Sequence, residues 1–168
     1  MRILVIGAAA SGKSGYAESL LQKLPAPRRY LATMEPFGEE ARLRIEKHRA
    51  ARAAKGFETL ECCRDLERLE VSGGSLLLEC LTNLAANELY SPAGAEGCEE
   101  HILFGIQALS TQVENLIVVT GDVFADGMGY SAETLDYCRL LANLNRKLAA
   151  EFDAVAEIVC GLPLIYKN

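Results

Sequence analysis

The segment Gly7-Ala8-Ala9-Ala10-Ser11-Gly12-Lys13-Ser14 limits the fold of this chain more than any other stretch, because of what stands on either side of it. The apolar run Ile3-Leu4-Val5-Ile6 precedes it, and a stretch with helical spacing follows. The segment fits G-x-x-x-x-G-K-[ST], a pattern in which successive backbone N–H groups turn toward one anion. Such a loop works where a buried strand ends and a helix begins, since the helix dipole then adds to the field of the N–H groups. The chain is therefore expected to be an α/β protein that holds phosphate beyond the carboxyl ends of its strands.

The rest of the sequence alternates in the way such a fold requires. Runs rich in Ile, Leu and Val at 2–7, 29–32, 75–80, 115–120 and 154–160 read as strands buried on both faces, with 57–61 as a shorter sixth. Between them, 13–24, 38–55, 82–90, 99–110 and 132–152 carry helical spacing, and crossovers of that length are what parallel strands need. Residues 91–97 and 121–130 are Gly-containing loops rather than linkers. The expectation is a P-loop NTPase-like fold: a mainly parallel sheet with helices on both faces, forming a single nucleotide-binding domain over residues 1–168.

Composition narrows the partners. The net charge is −6 and no basic block is present, so nucleic acid is not an expected partner. No run approaches the ~20 apolar residues of a membrane span. The N-terminus enters the phosphate-loop strand almost at once, which leaves no room for a cleavable leader, and the expected location is the cytoplasm. The six cysteines form no C-x-x-C pair and read as reduced, partly buried thiols.

Within this frame Lys13 is expected to meet the β- and γ-phosphates of ATP or GTP, and Ser14 to offer its hydroxyl to Mg²⁺. A second oxygen ligand for that ion is expected from Glu79, delivered by the apolar strand Ser75-Leu76-Leu77-Leu78 in the Walker-B manner. Asp122, after the strand at 116–120, competes for the role, and Glu61 reads equally well as solvated. His48 shares a helical face with Ala41 and Ile45, with Arg52 one turn on. By pattern alone it belongs to a solvated basic face, although a neutral imidazole beside cations is also a competent nucleophile toward phosphorus. His101, in Glu99-Glu100-His101, reads as a surface residue without a supporting cluster. A simple kinase of another small molecule, or a non-catalytic nucleotide-binding regulator with 121–130 as its switch, would use the same loop.

Taken in order and spacing, GAAASGKS, RYLAT, RIEKHRAAR, ETLE, LLLECLTNLAAN and NRKLAAEFDAVAEIVCGLPL resemble the bifunctional adenosylcobinamide kinase/adenosylcobinamide-phosphate guanylyltransferase family of cobalamin biosynthesis, almost end to end. The resemblance implies phosphorylation of adenosylcobinamide, then transfer of GMP from GTP onto that phosphate through a guanylylated histidine, by a homotrimer. It implies that Gly7, Ala8, Ala9, Ala10, Ser11, Gly12, Lys13 and Ser14 cradle phosphate and that Ala32, Thr33 and Met34 form a nucleotide-contacting turn. His48 becomes the GMP acceptor, and Arg49, Ala50, Ala51 and Arg52 become nucleotide contacts. Glu61 and Glu79 match carboxylates near the nucleotide or its metal. The chain departs from the family at Ala10, where Arg is usual, at Phe57, where Trp is usual, and over 120–130, where Thr120-Gly121-Asp122-Val123-Phe124 replaces Ser-Asn-Glu-Val-Gly.

Overall fold

The computed structural model describes residues 1–35, 46, 49, 50, 52–92, 94–124 and 129–168. Among them, strands β1 (Arg2–Gly7), β2 (Arg28–Ala32), β3 (Glu58–Glu61), β4 (Ser75–Leu78), β5 (Asn115–Gly121), β6 (Ala154–Val159) and β7 (Leu162–Lys167) form one sheet in the order β3-β2-β4-β5-β1-β6-β7. All neighbours are parallel except β6 and β7. The helices are α1 (Lys13–Lys23), α2 (Leu81–Leu89), α3 (Cys98–Gln112) and α4 (Ala132–Glu151), and a single 3-10 turn occupies Leu66–Arg68. No helix among the described residues is long and apolar enough to cross a membrane.

The near-continuous apolar strands are explained by burial on both faces. Leu4, Leu31, Leu76, Leu78, Leu116 and Val118 point into one cluster with α2, α3 and α4, where Leu81, Leu84, Ile102, Ile106, Leu141 and Leu144 meet them. Ile3, Val5, Tyr30, Leu77, Ile117 and Val119 point the other way, onto Ala17 and Leu21 of α1. The alternation is the two-residue period of a strand, and helices cover both sides as a parallel sheet requires. β1 lies between β5 and β6, pairing Leu4 with Val118 and with Val155, so the phosphate-loop strand is central.

The strands and helices expected from the sequence are present with shifts of a residue or two at their ends. Of the segment 38–55, residues 46, 49, 50 and 52–54 are helical, and residues 38–45, 47, 51 and His48 lie outside the described residues. β7 is an unexpected element. It follows a two-residue hairpin turn in which Cys160 and Gly161 both take positive φ, 50° and 80°, and Val159 pairs with Leu162. Two left-handed residues in succession make the mirror-image turn that favours antiparallel pairing, and Cys-Gly is a weaker signal for it than Asn-Gly. The turn also leaves Cys160 exposed, against the expectation of partial burial.

Candidate functional site

The phosphate loop is shaped by backbone conformations few residues accept. Ala10 has φ 57° and Gly12 φ 94°, so the chain turns left-handed twice before α1 begins. Such turns bring neighbouring N–H groups onto one side, which is how backbone binds an anion. A side chain on Gly7 is barred, since a Cβ there would lie 2.5 Å from Ser11 Oγ and 2.8 Å from the Ile158 carbonyl. Ser11 Oγ is itself buried without a hydrogen-bond partner among the described residues. From below, the β6–β7 turn supports the loop: Gly161 N–H donates to the Ser11 carbonyl at 2.8 Å, and a Cβ on Gly12 would lie 3.2 Å from Gly161 Cα. Lys13 Nζ donates to the Ala8 carbonyl at 3.0 Å, folding the ammonium back over the loop.

A cavity of about 850 Å³ opens over this loop at the carboxyl ends of β1, β2, β4 and β5. Gly7, Ala9, Lys13, Ser14, Ala32, Met34, Arg52, Glu61 and Glu79 all line it, so residues far apart in the sequence meet at one place. Asp122 lines it as well, beside Gly121 and Val123. Ala8, Ala10, Ser11 and Gly12 belong to the loop without facing the cavity. Thr33 is fully buried, its Oγ1 donating to the Cys80 carbonyl at 3.0 Å. Arg49 and Ala50 are exposed and do not line the cavity, while His48 and Ala51 lie outside the described residues.

Sequence reasoning missed the wall that holds Glu79. Tyr30, 7% exposed, faces the cavity from β2. Burial, together with the nearby Glu79 charge and a hydrogen bond to that carboxylate, pushes the Tyr30 phenol far above its ordinary range. It therefore stays protonated and donates to Glu79. The Arg52 guanidinium stands 4.3 Å from the Tyr30 ring centroid, and the Phe57 ring stacks on Tyr30 with centroids 6.5 Å apart. Glu18 lines the cavity from α1 and is paired with Lys55. In the sequence Tyr30 reads only as an apolar strand residue, and its one signal is the place it holds in RYLAT.

The lining carries Lys13 and Arg52 against Glu18, Glu61, Glu79 and Asp122. An acidic excess around a phosphate loop suits a site that takes its anion together with a hard cation, and the hydroxyl of Ser14 with the carboxylate of Glu79 is an oxygen donor set of the kind Mg²⁺ uses. Asn145 of α4 is buried beneath the end of β5. Thr120 Oγ1 donates to Asn145 Oδ1 at 2.7 Å, and Asn145 Nδ2 donates to the Gly121 carbonyl at 3.4 Å, fixing where the 121–124 segment leaves the sheet.

His101 differs from its sequence reading. It is not isolated: its Nε2 lies 3.2 Å from Asp65 Oδ1, 3.5 Å from Glu67 Oε2 and 3.6 Å from Glu88 Oε1, beside a second cavity of about 450 Å³. The three acids come from two other segments, Asp65 and Glu67 at the 3-10 turn and Glu88 near the end of α2, so the local Glu99-Glu100-His101 context could not reveal them.

A strand, a left-handed phosphate loop, a helix and a strand-end carboxylate at one cavity define a P-loop nucleotide-binding protein. Flagellar accessory protein FlaH from Methanocaldococcus jannaschii has the same fold, with a TM-score of 0.52 and 10% identity over 99% of this chain and 77% of that one. The sequence model of the cobinamide kinase/cobinamide phosphate guanyltransferase family matches residues 3–165, and the chain belongs to that family. It is similar to the bifunctional adenosylcobalamin biosynthesis protein CobU of Salmonella typhimurium, with 31% identity over 96% of this chain and 97% of the relative. It is likewise similar to the bifunctional protein CobP of Pseudomonas aeruginosa, with 30% identity over 100% of this chain and 98% of the relative. The chain is a transferase of cobalamin biosynthesis.

Proposed function

We propose that residues 1–168 act as one domain that runs both family reactions at the 850 Å³ cavity. In the first, the aminopropanol hydroxyl of adenosylcobinamide attacks the γ-phosphorus of a nucleoside triphosphate and the nucleoside diphosphate leaves. In the second, an imidazole nitrogen of His48 attacks the α-phosphorus of GTP and pyrophosphate leaves. The adenosylcobinamide phosphate then takes GMP from that nitrogen. The observation that carries this reading is the convergence of Lys13, Ser14 and Glu79 on one cavity in a chain of this family.

The roles follow from charge and position. The phosphate-loop N–H groups and Lys13 hold the triphosphate, and the ammonium offsets negative charge that grows on the leaving oxygens in either reaction. Ser14 and Glu79 would hold Mg²⁺, which supplies further neutralisation of the phosphates when bound. Tyr30 orients Glu79 for that purpose, and Arg52 is held against Tyr30 where its charge faces the cavity. Glu61 and Asp122 face the same space, and Ala32 and Met34 offer an apolar wall for the nucleotide. Thr33 acts through the Cys80 carbonyl, shaping the turn rather than touching the ligand. Arg49, Ala50 and Ala51 follow His48 in sequence and are proposed to approach the nucleotide with it. The working form is a cytoplasmic homotrimer.

The experiment is to incubate the protein with GTP labelled in the α-phosphate and look for an acid-labile covalent label. A folded His48→Asn protein is expected to lose the label and guanylyl transfer while keeping phosphorylation of the cobinamide hydroxyl. Labelling of that variant would overturn the assignment.

A further inference from the structure

The cluster around His101 gathers more acceptors than one proton serves at once, since the hydrogen bond to Asp65 Oδ1 leaves two further carboxylate oxygens close to the same nitrogen. Three carboxylate oxygens, Asp65 Oδ1, Glu67 Oε2 and Glu88 Oε1, stand 3.2, 3.5 and 3.6 Å from the same nitrogen, His101 Nε2. One N–H bonds well to one acceptor at a time. Ligand atoms on a tetrahedral ion with bonds of about 2.0–2.2 Å stand roughly 3.3–3.6 Å apart, close to the 3.2 and 3.6 Å that separate His101 Nε2 from the Asp65 and Glu88 oxygens. One ligand atom each from Asp65, Glu88 and His101 also lies within 4.8 Å of the other two.

We propose that Asp65, Glu88 and His101 bind one divalent cation of borderline softness, best matched by Zn²⁺, with water in the fourth position and Glu67 accepting a hydrogen bond from that water. A mixed set of one imidazole and two carboxylates suits this class of ion better than Mg²⁺ or Ca²⁺, which favour oxygen alone. Glu88 is 7% exposed, a carboxylate more than nine-tenths buried, with its Oε1 beside the imidazole. One further observation points to a bound group. Glu67 Oε2 is buried and has no hydrogen-bond partner among the described residues, so a donor such as a coordinated water is what it lacks.

The surrounding charges leave these oxygens to the ion. Arg68 reaches the other oxygens of two acids, with Nη1 3.8 Å from Asp65 Oδ2 and Nε 3.6 Å from Glu67 Oε1. Oδ1 and Oε2 are thereby turned toward His101. Asp65 N–H donates to Glu88 Oε1 at 2.7 Å, which fixes the buried carboxylate as an outer partner would. The three ligands come from the segment after β3, the last turn of α2 and the first turn of α3. The ion would brace two connections at once: Asp65 follows four residues after the cavity-lining Glu61, and α2 starts directly after the cavity-lining Cys80.

The test uses the protein carrying Glu79→Gln, so that the proposed Mg²⁺ ligand of the nucleotide cavity takes no part, after dialysis against EDTA. ZnCl₂ is titrated calorimetrically, and Co²⁺ is used as a spectroscopic probe of coordination. The expected result is saturable binding of one equivalent, the intense visible absorption of four-coordinate Co²⁺, and a rise in Tm with Zn²⁺. His101→Ala and, separately, Asp65→Asn are expected to weaken binding by at least about 100-fold and to abolish the Tm rise, with folding of each checked by circular dichroism. The Asp65 variant decides the matter should the His101 variant not fold. Absence of saturable binding, as expected were His101 simply a protonated partner of the acids, overturns the proposal. So does binding that neither substitution weakens, which would place the ion elsewhere, on cysteines or on the remaining acids of the nucleotide cavity.

Discussion

At the scale of single residues, the phosphate loop and Glu79 were legible because their chemistry is written in a pattern, whereas the groups that set their geometry were not. Lys13→Ala is expected to lower both phosphoryl and guanylyl transfer by about 10²–10³-fold, as removal of one preorganised charge does. The melting temperature should hardly move, because the ammonium gives the fold one exposed hydrogen bond to Ala8; parallel assays of the two reactions with a thermal melt check this. Tyr30→Phe is the sharper probe, since it leaves packing intact and removes the donor to Glu79. Half-saturating Mg²⁺ should rise about tenfold, in the range typical of losing an outer partner of a metal ligand. A raised folded pKa also means that Tyr30 favours the fold below its unfolded value of about 10 and ceases to do so as pH climbs beyond it. The Phe variant should therefore lose less stability than the parent between pH 9 and 11 (roughly the window around that value), measured by chemical denaturation. Tyr30 was invisible as a site residue because a buried strand welcomes a tyrosine for packing alone, and its hydrogen bond depends on β2 pairing with β4. The same reason hid the company of His101, whose closest carboxylate in space, that of Asp65, is 36 positions away.

Among elements, α3 shows how closely backbone approach is fixed. A Cβ on Gly105 would lie 2.7 Å from Leu66 Cβ, so α3 rests directly on the 3-10 turn that carries Glu67. Gly105→Ala should cost about 1–3 kcal/mol through overpacking, read as a fall in denaturation midpoint, despite the better helix propensity of alanine. The first turn of α3 is also tied to α4: Glu99 accepts from Lys147 at 2.7 Å and from Asn143 at 3.1 Å, and the Lys147 bond holds its carboxyl below the ordinary glutamate range. A depressed pKa contributes stability that is complete above the unfolded value of about 4.3 and is lost as pH falls through the folded one. Glu99→Gln should accordingly flatten the acid limb of the Tm profile while lowering Tm near neutrality. Helices were readable from the sequence because each buries one face on the sheet with helical spacing. β7 was not, because all of its residues are exposed and no alternation of burial marks it.

For the molecule as a whole, β7 leaves an open edge bearing exposed Leu162, Leu164, Ile165 and Tyr166. An apolar edge strand invites pairing, and in the proposed trimer it is the region expected to be covered by another copy. Leu164→Lys combined with Ile165→Glu should lower the mass measured by light scattering if that is so, and an unchanged mass would move the contact elsewhere. The order of strands was not legible, since runs of buried aliphatic residues look alike and only tertiary pairing sets β1 between β5 and β6. That placement has a consequence for the history of each molecule. The phosphate loop leaves the ribosome before both strands that flank it, β5 and β6, and before the Gly161 turn beneath Ser11. A nascent chain thus carries the binding motif before it has the neighbours that shape it, and nucleotide is expected to stabilise a polypeptide only once its synthesis has passed the Gly161 turn.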